Sequence, residues 1–223
     1  MGTKAVRTAR ASKPGVDAGA GAGERSYHHG DLRQALIEAG ETLLAERGVE
    51  GFSLRECARR AGVSASAPAH HFGNATGLLT AIATLGFEGL AVAMQRAVRQ
   101  AGASPQARLQ AIGGAYIAYA LAHPARFRVV FGSLPLDRGD AALAAAAKRA
   151  YEMLAAAIAA LPGRACVPQD SAKADLVLAW SSVHGFACLA LDGQLPLGDA
   201  KDRTAALRKL TRQVVERLPR GNR

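Results

Sequence analysis

The sequence predicts an all-α protein, on three observations. Alanine, the strongest helix former, is the most conspicuous residue of the composition. Aromatic residues make up 5% of the chain, and runs of the β-branched and aromatic residues that build strands are scarce. Apolar residues recur at helical spacing between Gly, Pro and small polar residues placed as helix starts and stops. With 49% of its 223 residues apolar, the chain can bury a sizeable core. The expected architecture is an N-terminal three-helix helix-turn-helix domain followed by a C-terminal helical bundle.

Residues 1–24 are rich in Ala, Gly, Lys and Arg and lack apolar periodicity, so they read as a flexible basic arm, or as a tail with no role. Order is expected from "YHHGDLRQALIEAGETLLAERGVEG" onward. Asp31 stands as an N-cap with Gln34 three residues on, Leu32, Leu36, Ala39 and Leu43 share a face, and Gly48 stops the helix, giving a first helix over about 32–46. "FSLREC" is a second capping box: Ser53 accepts from the N–H of Glu56, Glu56 reaches back to Ser53, and Phe52 and Cys57 form the staple. The second helix runs over about 54–61 and stops at Gly62.

In "GVSASAPAHHFG", Ser64 is placed to cap a third helix. Pro68 is tolerated only near a first turn, because it lacks an N–H and its ring clashes with the carbonyl four residues back. That fixes a start just upstream of Pro68, and Gly73 fixes the end, about two turns later. Asn74 caps a long helix over about 75–101, and "SPQARLQAI" is a cap followed by proline at the first helical position. "AHPARFRVVFG" ends that helix and opens a short one. Further helices are expected over about 137–161, 171–191 and 200–218. The domain organisation read from this is an arm (1–24), a helix-turn-helix domain (25–80) and a helical effector-binding and dimerisation domain (81–223), with a boundary inside the long fourth helix.

The formal charge of +10 favours a polyanionic partner. The excess sits at the two ends, whereas residues 26–80 carry slightly more acid than base. Three cysteines (57, 166 and 188) with no CxxC spacing argue against a disulfide framework and fit a reducing compartment. No uninterrupted apolar run reaches membrane-spanning length and the N-terminus has no apolar leader core, so a cytoplasmic protein without membrane contact is expected.

Two short helices joined by "AGVS", the first with the small Ala58 at its crossing point, make a helix-turn-helix, which places its second helix end-on in the major groove of double-stranded DNA. Ser64, Ala65 and Ser66 give that helix a slim polar end able to approach base edges, His70 and His71 are longer donors, and Arg55, Asn74 and Thr76 suit phosphates or flanking positions. Adjacent histidines on a helix point about 100° apart and cannot easily share one ion, so His70 and His71 are not read as a metal site. His70 is the better DNA contact and His71, beside Phe72, the better core support.

These residues resemble the DNA-binding domain of the TetR family of bacterial transcription regulators, over about 30–80, in the strings "ALIEAGETLLAERGVEGFSLRECARRAGVS" and "HHFGNATGLLTAI". "WSSVHGFACL" is similar to the Trp-His-Gly signature of one class of C-terminal domain in that family. The resemblance implies a homodimer that binds a palindromic operator, usually as a repressor, and releases DNA when a small molecule enters the C-terminal bundle. Two departures stand out. Ala69 occupies a position where the family usually has an aromatic residue, and Ala75 one where it usually has a phosphate-contacting Lys. DNA affinity would then lean on Arg55, the arm, and His28 or His29.

Two other readings compete: a helical-bundle enzyme with accidentally basic ends, and a ligand-independent DNA-binding protein. His184 and Cys188, at i and i+4, resemble a nucleophile pair, but no acid partner or nucleophile elbow accompanies them. No cofactor or metal is expected, and no enzyme activity. Met94, Tyr116, Tyr119, Phe127, Phe131, Tyr151 and Met153 read as core before pocket, and Trp180, His184 and Cys188 as lining a core or a ligand cavity; Met94, Tyr116, Tyr119, Phe127, Phe131, Trp180 and His184 are the candidate lining of an effector cavity. A small hydrophobic or aromatic effector with one or two polar groups is expected.

Overall fold

The computed structural model describes residues 1–2, 29–164, 169–197 and 202–220. They form α1 (His29–Arg47), α2 (Leu54–Arg60), α3 (Ala67–Phe72), α4 (Ala75–Gln100), α5 (Pro105–Ala122), α6 (Pro124–Phe131), α7 (Ala141–Ala159), α8 (Gln169–Leu191) and α9 (Arg203–Val215), and no strand among the described residues. The basic arm, with Lys4, Arg7, Arg10, Lys13, Arg25 and His28, and also Cys166, lie outside the described residues.

Most helix starts follow from local chemistry. Ser53, Asn74 and Ser104 each accept a hydrogen bond from the backbone N–H three residues on, at 3.2, 3.0 and 3.4 Å, satisfying one of the orphan donors of α2, α4 and α5. Asp140 does the same for α7 at 2.7 Å, and Asp202 for α9 at 2.9 Å. Three expectations are corrected. α1 begins at His29, so Asp31 lies in its first turn instead of ahead of it. Ser64 does not cap α3: its hydroxyl is 3.2 Å from that of Ser66, and the N-cap residue is Ser66, whose αR backbone keeps its side chain from capping. Glu56 does not reach back to Ser53; its carboxylate is taken by Arg59 (2.8 and 2.7 Å) and Arg60 (3.2 Å). Charge-assisted bonds to guanidinium are stronger than a bond to a neutral amide, so they hold Glu56 well below the usual carboxylate range, at about 2.

Two apolar cores form. One gathers Ile37 and Leu43 of α1, Cys57 of α2, and Leu78, Leu79 and Ile82 of α4, and it extends to Val129 of α6 and Leu143 of α7. Burial pushes the Cys57 thiol up to about 11, as suits a packing residue. The other gathers Leu90 and Met94 of α4, Leu109, Ile112, Tyr116 and Ile117 of α5, Val183 and Phe186 of α8, and Val215 of α9. α4 belongs to both. It joins the helix-turn-helix head to the helical body as one uninterrupted 26-residue rod.

α4 and α8 are long and apolar enough to cross a membrane by length and composition alone, although charges interrupt the apolar run of each. Burial in the two cores accounts for α4. α8 is different: Val177, Leu178, Trp180 and Leu189 stay exposed.

Candidate nucleic-acid interface and ligand cavity

Gly62 and Gly73 frame the helix-turn-helix. Each has positive φ (69° and 73°), which turns the chain sharply after α2 and after α3. Pro68 in the first turn of α3 is buried, so the proline anchors the helix while its outer face stays free. Ser64, Ala65, Ser66, Ala69 and His70 are all exposed along that face. His71 is half-buried beside the Phe72 ring, and Arg33 of α1 lies over that ring at 5.2 Å. Asn74 is exposed and Thr76 half-buried at the start of α4.

The arginines of α2 divide sharply. Arg60 is held by Glu46 at 2.6 Å and by Glu56, and Arg59 by Glu56, so both are neutralised within the head. Arg55 is exposed and makes no ion pair among the described residues. It is the α2 guanidinium left for an outside anion.

A cavity of ≈ 440 Å³ opens in the helical body, within the ~300–1,000 Å³ typical of small-molecule sites. Of the residues expected there, Met94, Tyr116, Phe131 and Trp180 line it, alongside Phe87, Leu90, Leu109, Ile112, Val130 and Val183. Tyr119, Phe127 and His184 do not. One turn beyond Tyr116, Tyr119 swings toward α4, where its hydroxyl oxygen would lie 2.5 Å from a Cβ on Gly89. Phe127 and His184 border a second, smaller cleft of ≈ 160 Å³ with Arg128, Cys188 and Asp192. Phe131 borders both spaces and stands between them, its ring 5.0 Å from His184 and 6.3 Å from Trp180.

A polar chain runs along this wall. The Trp180 indole N–H donates to the Tyr116 oxygen (3.4 Å), and Tyr116 Oη lies 2.9 Å from His184 Nδ1. An indole N–H can only donate, so the Tyr116 oxygen accepts from Trp180 on one side and shares a proton with His184 Nδ1 on the other. His184 Nε2 lies 3.6 Å from the Cys188 sulfur. Burial raises the Tyr116 phenol far above its usual range and lowers the His184 imidazole below 6.5. Burial also raises the Cys188 thiol, which disfavours a thiolate nucleophile. Among the described residues no group of three or more His, Cys, Asp or Glu is placed to hold a metal ion.

Burial of His184 makes stability depend on pH at the acid end. Below the ordinary imidazole pKa of 6.5 the unfolded chain takes up a proton that the folded one resists. The folded state therefore loses stability as pH falls through that value and is unaffected above it. Replacing His184 with Gln should flatten this loss, read as the difference between variant and wild-type urea midpoints at pH 7.5 and 5.5. Equal midpoint changes in the two proteins would contradict it.

The sequence pattern of bacterial regulatory proteins of the tetR family matches residues 36–82. A tetracyclin repressor-like C-terminal domain matches residues 109–214. No curated protein matches the chain. Among solved structures, a protein of unknown function from Rhodococcus sp. RHA1 is 32% identical, with a TM-score of 0.69 over 87% of this chain and 99% of that one. PfmR, a TetR family transcriptional regulator from Thermus thermophilus, is 21% identical, with a TM-score of 0.64 over 86% of this chain and 97% of that one. A tetR-family regulatory protein from Rhodococcus RHA1 is 18% identical, with a TM-score of 0.65 over 86% and 98%. The last two likenesses are of fold. With both parts matched and the helix-turn-helix in place, the chain belongs to the tetR family of bacterial regulatory proteins and is a DNA-binding regulator of transcription.

Proposed function

We propose that this regulator is a cytoplasmic, ligand-responsive repressor that binds a palindromic operator as a homodimer, and that it is not an enzyme. The observation that carries the reading is the apolar cavity built on α4, the same helix that leaves the helix-turn-helix head. A ligand that favours one arrangement of the body can thereby favour one placement of the recognition helices. The division of labour is arm 1–24, head 25–80 and effector and dimerisation body 81–223. "WSSVHGFACL" supports assigning that body to the Trp-His-Gly class.

In this reading Ser64, Ala65, Ser66 and His70 approach base edges, His71 supports α3, and Arg55, Asn74 and Thr76 meet phosphates. With Arg59 and Arg60 tied to Glu46 and Glu56, and with Ala69 and Ala75 offering neither ring nor charge, Arg55 is the chief cation of α2 for this task. The exposed apolar side chains Val177, Leu178 and Leu189 on α8 support a dimer in which α8 and α9 of two copies pack as four helices. Twofold symmetry then sets half-sites about one helical turn, ~34–36 Å, apart or at a multiple of it.

Selection of bound sequences from random DNA tests this: a palindrome is expected. Truncating His70 to Ala should cost ~1–3 kcal/mol, mostly on the selected site and not on unrelated DNA. A protein that selects no palindrome and sediments as a monomer at micromolar concentration contradicts the proposal. Unchanged sequence preference in His70→Ala contradicts the role given to that residue.

A further inference from the structure

We propose that the effector is an amphiphilic carboxylate, its apolar body in the cavity and its carboxylate on the guanidinium of Arg138 at the rim. This rests on the reading of the cavity as the effector site and adds the chemical class of what fills it.

The interior of the cavity offers a ligand almost nothing polar. Its walls are Phe87, Leu90, Met94, Leu109, Ile112 and Val183. The two polar groups in the wall, the Tyr116 hydroxyl and the Trp180 N–H, are already engaged with each other and with His184. A sugar would leave its hydroxyls unpaired there, at a cost for each. An alkyl chain or a hydrocarbon ring would not.

The rim is different in kind. Its polar residues are Arg138, Lys148 and Tyr151, all exposed at the opening. The Lys148 ammonium is held by Glu152 one turn along α7. Arg138 makes no hydrogen bond or ion pair among the described residues, although acids flank it on both sides. Those acids are turned to the backbone. Asp137 Oδ1 accepts from the Gly139 N–H at 2.9 Å, and Asp140 Oδ1 accepts from the Leu143 N–H at 2.7 Å to cap α7. The guanidinium is thus left un-neutralised beside an apolar hole. A planar fork of donors matches a carboxylate in two parallel bonds, while a cationic head group would be repelled.

The loop that carries Arg138 is also fastened to α4. The backbone N–H of Asp137 donates to Thr80 Oγ1 at 2.9 Å, and Thr80, itself buried, donates to the Thr76 carbonyl at 2.7 Å. A carboxylate drawn onto Arg138 therefore acts one residue from a direct bond to the helix that leaves the head.

The test uses the full-length protein and its single tryptophan, Trp180, which lines the cavity. Fluorescence titrations compare decanoate with 1-decanol, which has the same chain and no charge. Decanoate is expected to bind about tenfold tighter than the alcohol, since a charge-assisted bond is stronger than a neutral one. Arg138→Gln should erase most of that tenfold preference and leave decanol affinity unchanged within about twofold, so decanol also reports that the cavity is intact. Lys148→Gln should change decanoate binding less than Arg138→Gln does. Equal binding of decanoate and decanol by the wild type overturns the proposal and leaves the cavity reading standing. A preference for decanoate that survives Arg138→Gln overturns the anchor. If neither compound binds, the cavity reading falls together with the proposal.

Discussion

Gly77→Ala is expected to destabilise the head and abolish operator binding. A Cβ at Gly77 would lie 1.9 Å from the Phe72 carbonyl oxygen and 3.0 Å from its carbon. Both are backbone atoms, and the same carbonyl accepts from the Asn74 N–H at 2.8 Å, so it cannot swing aside cheaply. Helix propensity alone argues the other way, since alanine is favoured over glycine within a helix by about 1 kcal/mol. The clash must be relieved by separating α3 from α4, which resembles severe overpacking and should cost about 3 kcal/mol net. Because α3 is the helix proposed to enter the major groove, even a partly folded variant should lose operator affinity. Urea unfolding together with operator binding checks this. A variant as stable as the wild type would mean that α3 and α4 can part without cost.

The sequence announces this glycine weakly. A glycine in the first turn of a long helix is unfavourable by propensity, and only the approach of the preceding helix explains it. Other features of the head are plain. Ser53 and Asn74, like the Ser104–Pro105 pair in the body, mark helix starts because a cap is a local event within four residues. Gly62 and Gly73 mark turns because positive φ is a local demand. What cannot be read locally is decided by partners elsewhere in the chain. Glu56 looks like half of a capping box, but Arg59 and Arg60 hold it, and Arg60 also reaches Glu46, fourteen residues away. Ser64 looks like a cap because it follows the turn, yet the helix begins three residues later.

The cavity shows the same division. Its chemical character is legible, since apolar and aromatic residues such as Tyr116, Phe131 and Trp180 recur on helices that must face one another. Its outline is not. Tyr119 follows Tyr116 by three residues and Phe127 precedes Phe131 by four, and which of each pair meets open space depends on how far each helix is rotated about its axis. Periodicity finds the inward stripe and does not find a hole within it. Arg138 carries no sequence mark at all: flanked by Asp137 and Asp140, it reads as one charge in a balanced loop until the two acids are seen bonded to backbone amides.

Breaking the ion pair between Glu41 and Arg126 should have the second large effect, and on communication more than on fold. Glu41 belongs to α1 in the head and Arg126 to α6 in the body. The guanidinium reaches the carboxylate at 2.5 Å through Nε and 3.2 Å through Nη2, and about four-fifths of each side chain is out of solvent, at 23% and 20% exposure. The same short α6 carries Val130 and Phe131 into the cavity wall. It also lies close against α4, since a Cβ on Gly86 would sit 2.6 Å from Val130 Cγ2. One eight-residue helix thus touches the cavity on one side and grips the head on the other. Removing one partner leaves a half-buried charge unpaired, so Arg126→Met should cost about 2–3 kcal/mol, below the ~3–5 kcal/mol of a fully buried pair. Removing both charges with Glu41→Leu and Arg126→Met should recover part of that loss, because no orphan charge remains. The double variant is the informative one. It should still bind operator, since neither residue lies on the exposed face of α3. Coupling between sites is reciprocal, so operator DNA added to the wild type should alter Trp180 fluorescence through α6. In the double variant that response should shrink while operator affinity persists. A full Trp180 response in a stable double variant would show that the signal passes through α4 alone.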